Sequence, residues 1–213
     1  TEDIVKKTVK NSLQQEWIGL TPQGVSISKM LQAFDRIQHS YADPQRRFHT
    51  LSAHIRSLLK LQKEYFADAS LPVVLAIWFH DIFYLPGYGH SEAVSADMMR
   101  AILHGIFPKD IIEEAARHIL ATIDHAASSN PDTQIMCDLD LLGLASDPDE
   151  YDAGVRHIRA EYDQFTDEEW KMGRTKFLSG LLDRTSIFQT EAIRTWFESA
   201  ARSNLERDLA ACS

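Results

Sequence analysis

The chain has two cysteines in 213 residues, Cys137 and Cys212, far apart and with no Cys-x-x-Cys pair. That argues against a disulfide framework and a cysteine-built zinc site, and it suits a reducing compartment. Long apolar runs are missing too. The longest, Leu71 to Phe79, falls well short of the roughly 18 residues a membrane span requires, so it reads as a buried helix. Thr1 to Lys10 mix charges of both signs and lack the apolar segment of a signal peptide, so the expected location is cytoplasmic, with no membrane partner. Basic charge is scarce: 22 Lys and Arg against 31 Asp and Glu leave a net −9. Extended nucleic-acid binding needs a basic face that displaces counterions, and the sequence offers no long one. A small phosphorylated substrate is compatible with this balance, because a local cluster of cations can work inside an acidic protein.

Familiar motifs are absent as well. There is no GxxxxGK[ST] phosphate loop, no HExxH helix and no GxGxxG fingerprint. Asp147 to Asp152 is acidic but lacks the glycine and spacing of a calcium loop, and reads as a turn and helix start. Neither a strand-like alternation nor an internal repeat is visible.

What is present is helical periodicity. At 44% hydrophobic and 25% charged, the composition is that of a globular protein, and the length suits one domain. Apolar spacing predicts helices from Ser28 to Tyr41, His49 to Phe66, Pro72 to Tyr84, Ser91 to Ile106 and Pro108 to Asp124. A short one follows from Ile135 to Leu144, then one from Asp147-Pro148 to Phe165. Thr166 and Glu169 form a capping box opening the next, and Thr190 to Leu209 makes the last. The expectation is an all-α bundle of about eight to nine helices spanning residues 1–213, with 1–20 as an N-terminal extension. The C-terminal helix, carrying Trp196, Phe197 and Leu205, suits internal packing or a homodimer face.

His80-Asp81 closes the most apolar segment of the chain. A histidine and a carboxylate at the end of a buried helix need compensation, by a metal ion or by a neighbouring cation and a hydrogen bond. Upstream lie His49 and His54; downstream lie Asp138 and Asp140, two apart and so on different sides of a helix. Two imidazoles with carboxylates make a mixed N/O set suited to Mn, Fe, Zn, Co or Ni, with Mg conceivable.

This order resembles the HD superfamily of metal-dependent phosphohydrolases. The matching pieces are Arg47-Phe48-His49 with His54-Ile55, then Phe79 to Tyr84, Ser91-Glu92 with Ser95-Ala96, Ala121-Thr122 with His125, and Leu139-Asp140-Leu141 before Gly143. Ile158 to Tyr162, Gly173-Arg174 and Ala201 to Leu205 extend the likeness over most of the chain, from about His39 onward. The resemblance implies a single HD-type helical domain with His54, His80, Asp81 and Asp140 around one divalent cation. It implies hydrolysis of a nucleotide-like or other small phosphorylated metabolite, Asp81 serving the chemistry as well as the metal.

Other residues carry open alternatives. Glu92 suits water handling near the metal or simply favourable charge in a helix's first turn. His118 and His125, seven apart, share a face if their helix continues far enough; they read as buried packing residues, as substrate contacts, as an acid for the leaving group or as ligands to a second metal. His49 suits phosphate contact, support of the metal ligands or a helix cap. Among the arginines, Arg47 and Arg174 are the preferred phosphate donors. Two further functions stay in play: a dinuclear iron oxygenase using His118 and His125, and a non-catalytic interaction module with a structural metal.

Overall fold

The structure, a computed structural model, describes residues 12–212. Ten α-helices and no strand occur among them. Helix α1 covers 12–19, α2 Ile27–Ser40, α3 Arg56–Tyr65, α4 Leu71–Phe79 and α5 Ser91–Leu103. Then come α6 Lys109–Ala121, α7 Pro131–Leu141, α8 Pro148–Glu161, α9 Asp167–Leu182 and α10 Glu191–Cys212. A π-helical turn, Leu51–Ile55, leads into α3, and a 3₁₀ turn, Leu142–Ala145, follows α7.

Helix α4 is apolar all round because it lies in the centre, where Val73, Leu75, Ala76, Ile77 and Phe79 are inaccessible to solvent. Helices α3, α5, α6 and α7 pack around it. Trp17 of α1 meets Trp78, Phe79 and Phe107 edge-on, at centroid distances of 5.4, 6.0 and 6.4 Å, and its indole N–H donates to the Met30 carbonyl. The expected N-terminal extension over 1–20 is therefore part of the core where it is described, with Leu13 and Trp17 buried; residues 1–11 lie outside the described residues. The all-α bundle expected from the sequence forms, with α1 a helix that the apolar spacing did not mark.

A second, smaller core joins Leu141 and Leu142 to Leu178 and Leu181 of α9 and Ile193, Ala201 and Leu205 of α10. Trp196 stays exposed on the outer side of α10. Helix α7 spans both cores, burying Met136 and Leu139 in the first and Leu141 in the second. The capping box of α9 forms as expected, Thr166 Oγ1 accepting from Glu169 N and Glu169 Oε2 from Thr166 N. Among the described residues, no helix is long and apolar enough to cross a membrane.

Candidate metal centre

The helix expected to run to Tyr84 ends at Phe79, and Arg46 explains how. The last carbonyls of a helix lack partners in the next turn. Buried Arg46 holds the corner that follows: Nη1 donates to the Asp81 carbonyl at 2.6 Å and the His49 carbonyl at 3.2 Å, and Nη2 to the Ile82 carbonyl at 3.0 Å. Tyr41 Oη adds a bond to the Trp78 carbonyl. His80 and Asp81 thus leave the core at a pinned corner. Opposite them, Thr50 caps the π-helical turn by accepting from Ala53 N, and that turn presents His54.

Four side chains converge there. His54 Nε2 and His80 Nε2 are 3.1 Å apart. Asp81 Oδ2 lies 3.4 and 3.2 Å from the two nitrogens, and Asp140 Oδ1 lies 3.3 Å from both. Ligands bonded at about 2.0–2.1 Å to one ion stand about 2.9 Å apart at a right angle and about 3.4 Å apart at the tetrahedral angle. Every one of these distances falls in that window. His80 Nδ1 sits 3.1 Å from the Ile77 carbonyl, which only a protonated nitrogen can engage, so in a neutral ring Nε2 offers its lone pair inward. His80 Nε2 then faces His54 Nε2 and one oxygen each of Asp81 and Asp140. His54, His80 and Asp81 form a group able to hold a metal ion. The charges agree. Burial alone would depress His80, yet Asp81 and Asp140 hold its pKa well above the ordinary value, while at His54 burial prevails and pushes the pKa down. Burial would also raise the two carboxyls, but the imidazoles, His80 foremost, keep both below the usual range.

Around this centre the structure sorts the remaining candidates. His49 stacks on Tyr84 at 4.0 Å and places Nδ1 2.6 Å from Glu161 Oε2. Glu161 Oε1 also accepts the backbone N–H groups of Arg47, Phe48 and His49, so one buried carboxylate shapes the whole approach to His54. His125 Nε2 lies 2.8 Å from Asp140 Oδ2. It stands beyond α6 with a left-handed backbone, φ 50°, its carbonyl held by Arg184 Nη1 at 2.9 Å. Asp138 faces elsewhere: its oxygens accept from Gln189 N, Thr190 N and Thr190 Oγ1 at 2.6–2.8 Å, fastening the start of α10.

Two expectations need correction. His118 is not at the centre: α6 stops at Ala121, so the face it would share with His125 does not exist, and its Nδ1 instead meets Thr133 Oγ1 at 3.0 Å. Glu92 sits in the first turn of α5, where its charge suits the helix start. Arg174 does border the site's cavity, but its guanidinium is spent on Asp208 Oδ2, at 2.7 Å, and on the Tyr151 hydroxyl. Arg47 also borders it and is exposed, its guanidinium bound among the described residues only to the carbonyls of Pro44 and Arg46. The organising roles of Arg46 and Glu161 are invisible in the sequence, because their partners are backbone groups that no local pattern reveals.

The cavity has a volume of about 530 Å³, within the usual range for a small-molecule site. His49, His54, His125 and Asp140 line it together with Leu58, Leu144, Ile158 and Phe177. Compared with family models, curated proteins and solved structures, the chain matches none.

Proposed function

We propose that this chain is a metal-dependent phosphohydrolase of the HD type, in which His54, His80, Asp81 and Asp140 hold one divalent cation. The observation that carries the reading is the meeting of two imidazole nitrogens and two carboxylate oxygens at 3.1–3.4 Å beside an open cavity. The donor set suits Mn, Fe, Zn, Co, Ni or Mg. A bound cation would supply Lewis acidity toward a phosphoryl oxygen and acidify a water.

The chain's own residues supply the rest. Water oxygen attacks phosphorus, the P–O bond to the leaving alcohol breaks, and that oxygen takes a proton. His49 is assigned to proton handling: Glu161 engages Nδ1, and Nε2 has no partner among the described residues. His125 steadies Asp140. Arg47 offers its guanidinium to phosphate oxygens at the cavity wall. Arg174 is neutralised by Asp208, so the wall favours one phosphate group over a polyphosphate, and its aliphatic and aromatic side chains suit an apolar body.

The alternatives draw less support. A dinuclear iron site built with His118 lacks that residue here, and a closed structural metal does not fit a cluster bordering a cavity. The test is metal content by elemental analysis, with phosphate release from 1-naphthyl phosphate, AMP and ATP. One equivalent of divalent metal less in Asp81→Ala than in wild type, together with loss of turnover, is expected. Normal metal content in both Asp81→Ala and Asp140→Ala, or no metal after reloading with each candidate ion, overturns the reading.

A further inference from the structure

We infer that Glu114, His118 and Asp132 form a second divalent-cation site, separate from the centre described above, that staples α6 to the start of α7. Glu114 and His118 stand four apart on α6 and share a face, and Asp132 comes from the first turn of α7. One ring nitrogen of His118 and one carboxylate oxygen from each acid lie within 4.8 Å of one another.

The histidine separates this trio from an ordinary acidic surface. His118 is 1% exposed. Its Nδ1 meets the Thr133 hydroxyl at 3.0 Å, while its Nε2 is fully buried with no hydrogen-bond partner. Buried polar atoms are nearly always satisfied, so an orphan nitrogen on an imidazole grouped with two carboxylates calls for a ligand. Ligating histidines have this division of labour: one nitrogen is fixed by a hydrogen bond, the other is left for the ion. Nε2 is accordingly the ligand atom we assign. Both acids are only partly buried, so their side chains can close the last ångström onto an ion. One nitrogen with two carboxylate oxygens suits Zn²⁺, Mn²⁺ or Co²⁺.

Distance keeps the two sites apart. None of the trio borders the cavity, and Asp132 and Asp140 lie eight residues apart on α7, about 12 Å along its axis. The ion ties together the two helices that the His125 loop connects. The site does not depend on the phosphohydrolase reading.

The experiment is equilibrium dialysis of the chelator-stripped full chain against Zn²⁺, read by elemental analysis. Four proteins are compared: wild type, Asp81→Asn, Glu114→Gln/Asp132→Asn, and the combination. The partly exposed acids are chosen because His118→Ala opens a buried site and risks misfolding. The Glu114→Gln/Asp132→Asn pair is expected to bind one equivalent less than its parent in both backgrounds. It is also expected to keep its melting temperature in chelator and, in the Asp81→Asn background, to lose the rise that Zn²⁺ produces. Unchanged stoichiometry on adding the pair overturns this site whatever the total, and so does an undiminished Zn²⁺-induced rise. The difference between wild type and Asp81→Asn reports the first centre independently.

Discussion

Asp138 and Asp140 stand two residues apart on α7 and meet opposite fates. Asp138 is fully buried and saturated by two backbone amides and a hydroxyl at the start of α10. Burial nonetheless pushes its pKa up, the hydrogen bonds offsetting only part of that. Asp140 faces His54, His80 and His125, and the imidazoles hold its pKa well below the ordinary value in spite of burial. Residue type and helix are the same; the neighbours decide the role. Amides that close on a carboxylate leave no coordination to give, whereas imidazoles beside a carboxylate leave it free to share a ligand.

Exchanging the two losses is the sharpest way to break this contrast. Asp140→Ala is expected to lower phosphate release by about 10³-fold or more, the equivalent of roughly 4 kcal/mol, and to release the cation. Asp138→Ala is expected to destabilise by about 3 kcal/mol, because it strands buried donors, while binding the cation at low temperature. Denaturant melts alongside metal content check the pair; equal effects on both readouts would erase the distinction.

Glu161 extends the contrast to a second carboxylate saturated by amides, with a histidine added. Glu161→Gln is expected to cost about 2 kcal/mol. Burial works to raise the Glu161 pKa, but His49 and the amides of Arg47 and His49 prevail and lower it. Its folded value thus lies below its unfolded value, so its contribution is fully present above about pH 4.5 and fades as pH falls through the folded value. The melting-temperature gap between wild type and Glu161→Gln should be constant near neutrality and narrow in acid. A gap that widened in acid would contradict the assignment.

His125 carries the smallest expected effect. Its left-handed backbone costs about 1 kcal/mol that asparagine or glycine would largely avoid. His125→Asn is therefore expected to alter stability by less than about 1 kcal/mol while lowering turnover about tenfold, through looser support of Asp140. Comparison with His125→Ala, which keeps the strain and loses the ring, separates the two contributions.

The helices were legible because the apolar spacing is regular and the capping box of Thr166 and Glu169 carries its own local chemistry. His54, His80, Asp81 and Asp140 were legible as a set only through an ordered resemblance. Spacing left Asp138 and Asp140 equal, since the groups that claim Asp138 arrive 51 and 52 residues later. His118 misled because a seven-residue interval implies one face only on an unbroken helix, and α6 ends before His125. Arg174 read as a phosphate donor because nothing local announces that its guanidinium will be taken by Asp208, 34 residues later.

The π-helical turn at Leu51–Ile55 has a consequence for insertions and deletions. Ile55 N reaches back five residues to the Thr50 carbonyl at 3.2 Å, so this turn holds one residue more than an α-helical turn. Downstream, Leu58, Leu59 and Gln62 are locked into the core. Removing one residue between Thr50 and His54 would restore the α-helical count, and the locked helix would force the residues before the cut to absorb a rotation of about 100°. Asp43 to Thr50, with His49 and the Glu161 clamp, would swing out of phase with His54. A frame of a single residue thus couples the loop that organises the cavity to the helix that anchors in the core, and a one-residue deletion there should be far more damaging than any point substitution at Leu51, Ser52 or Ala53.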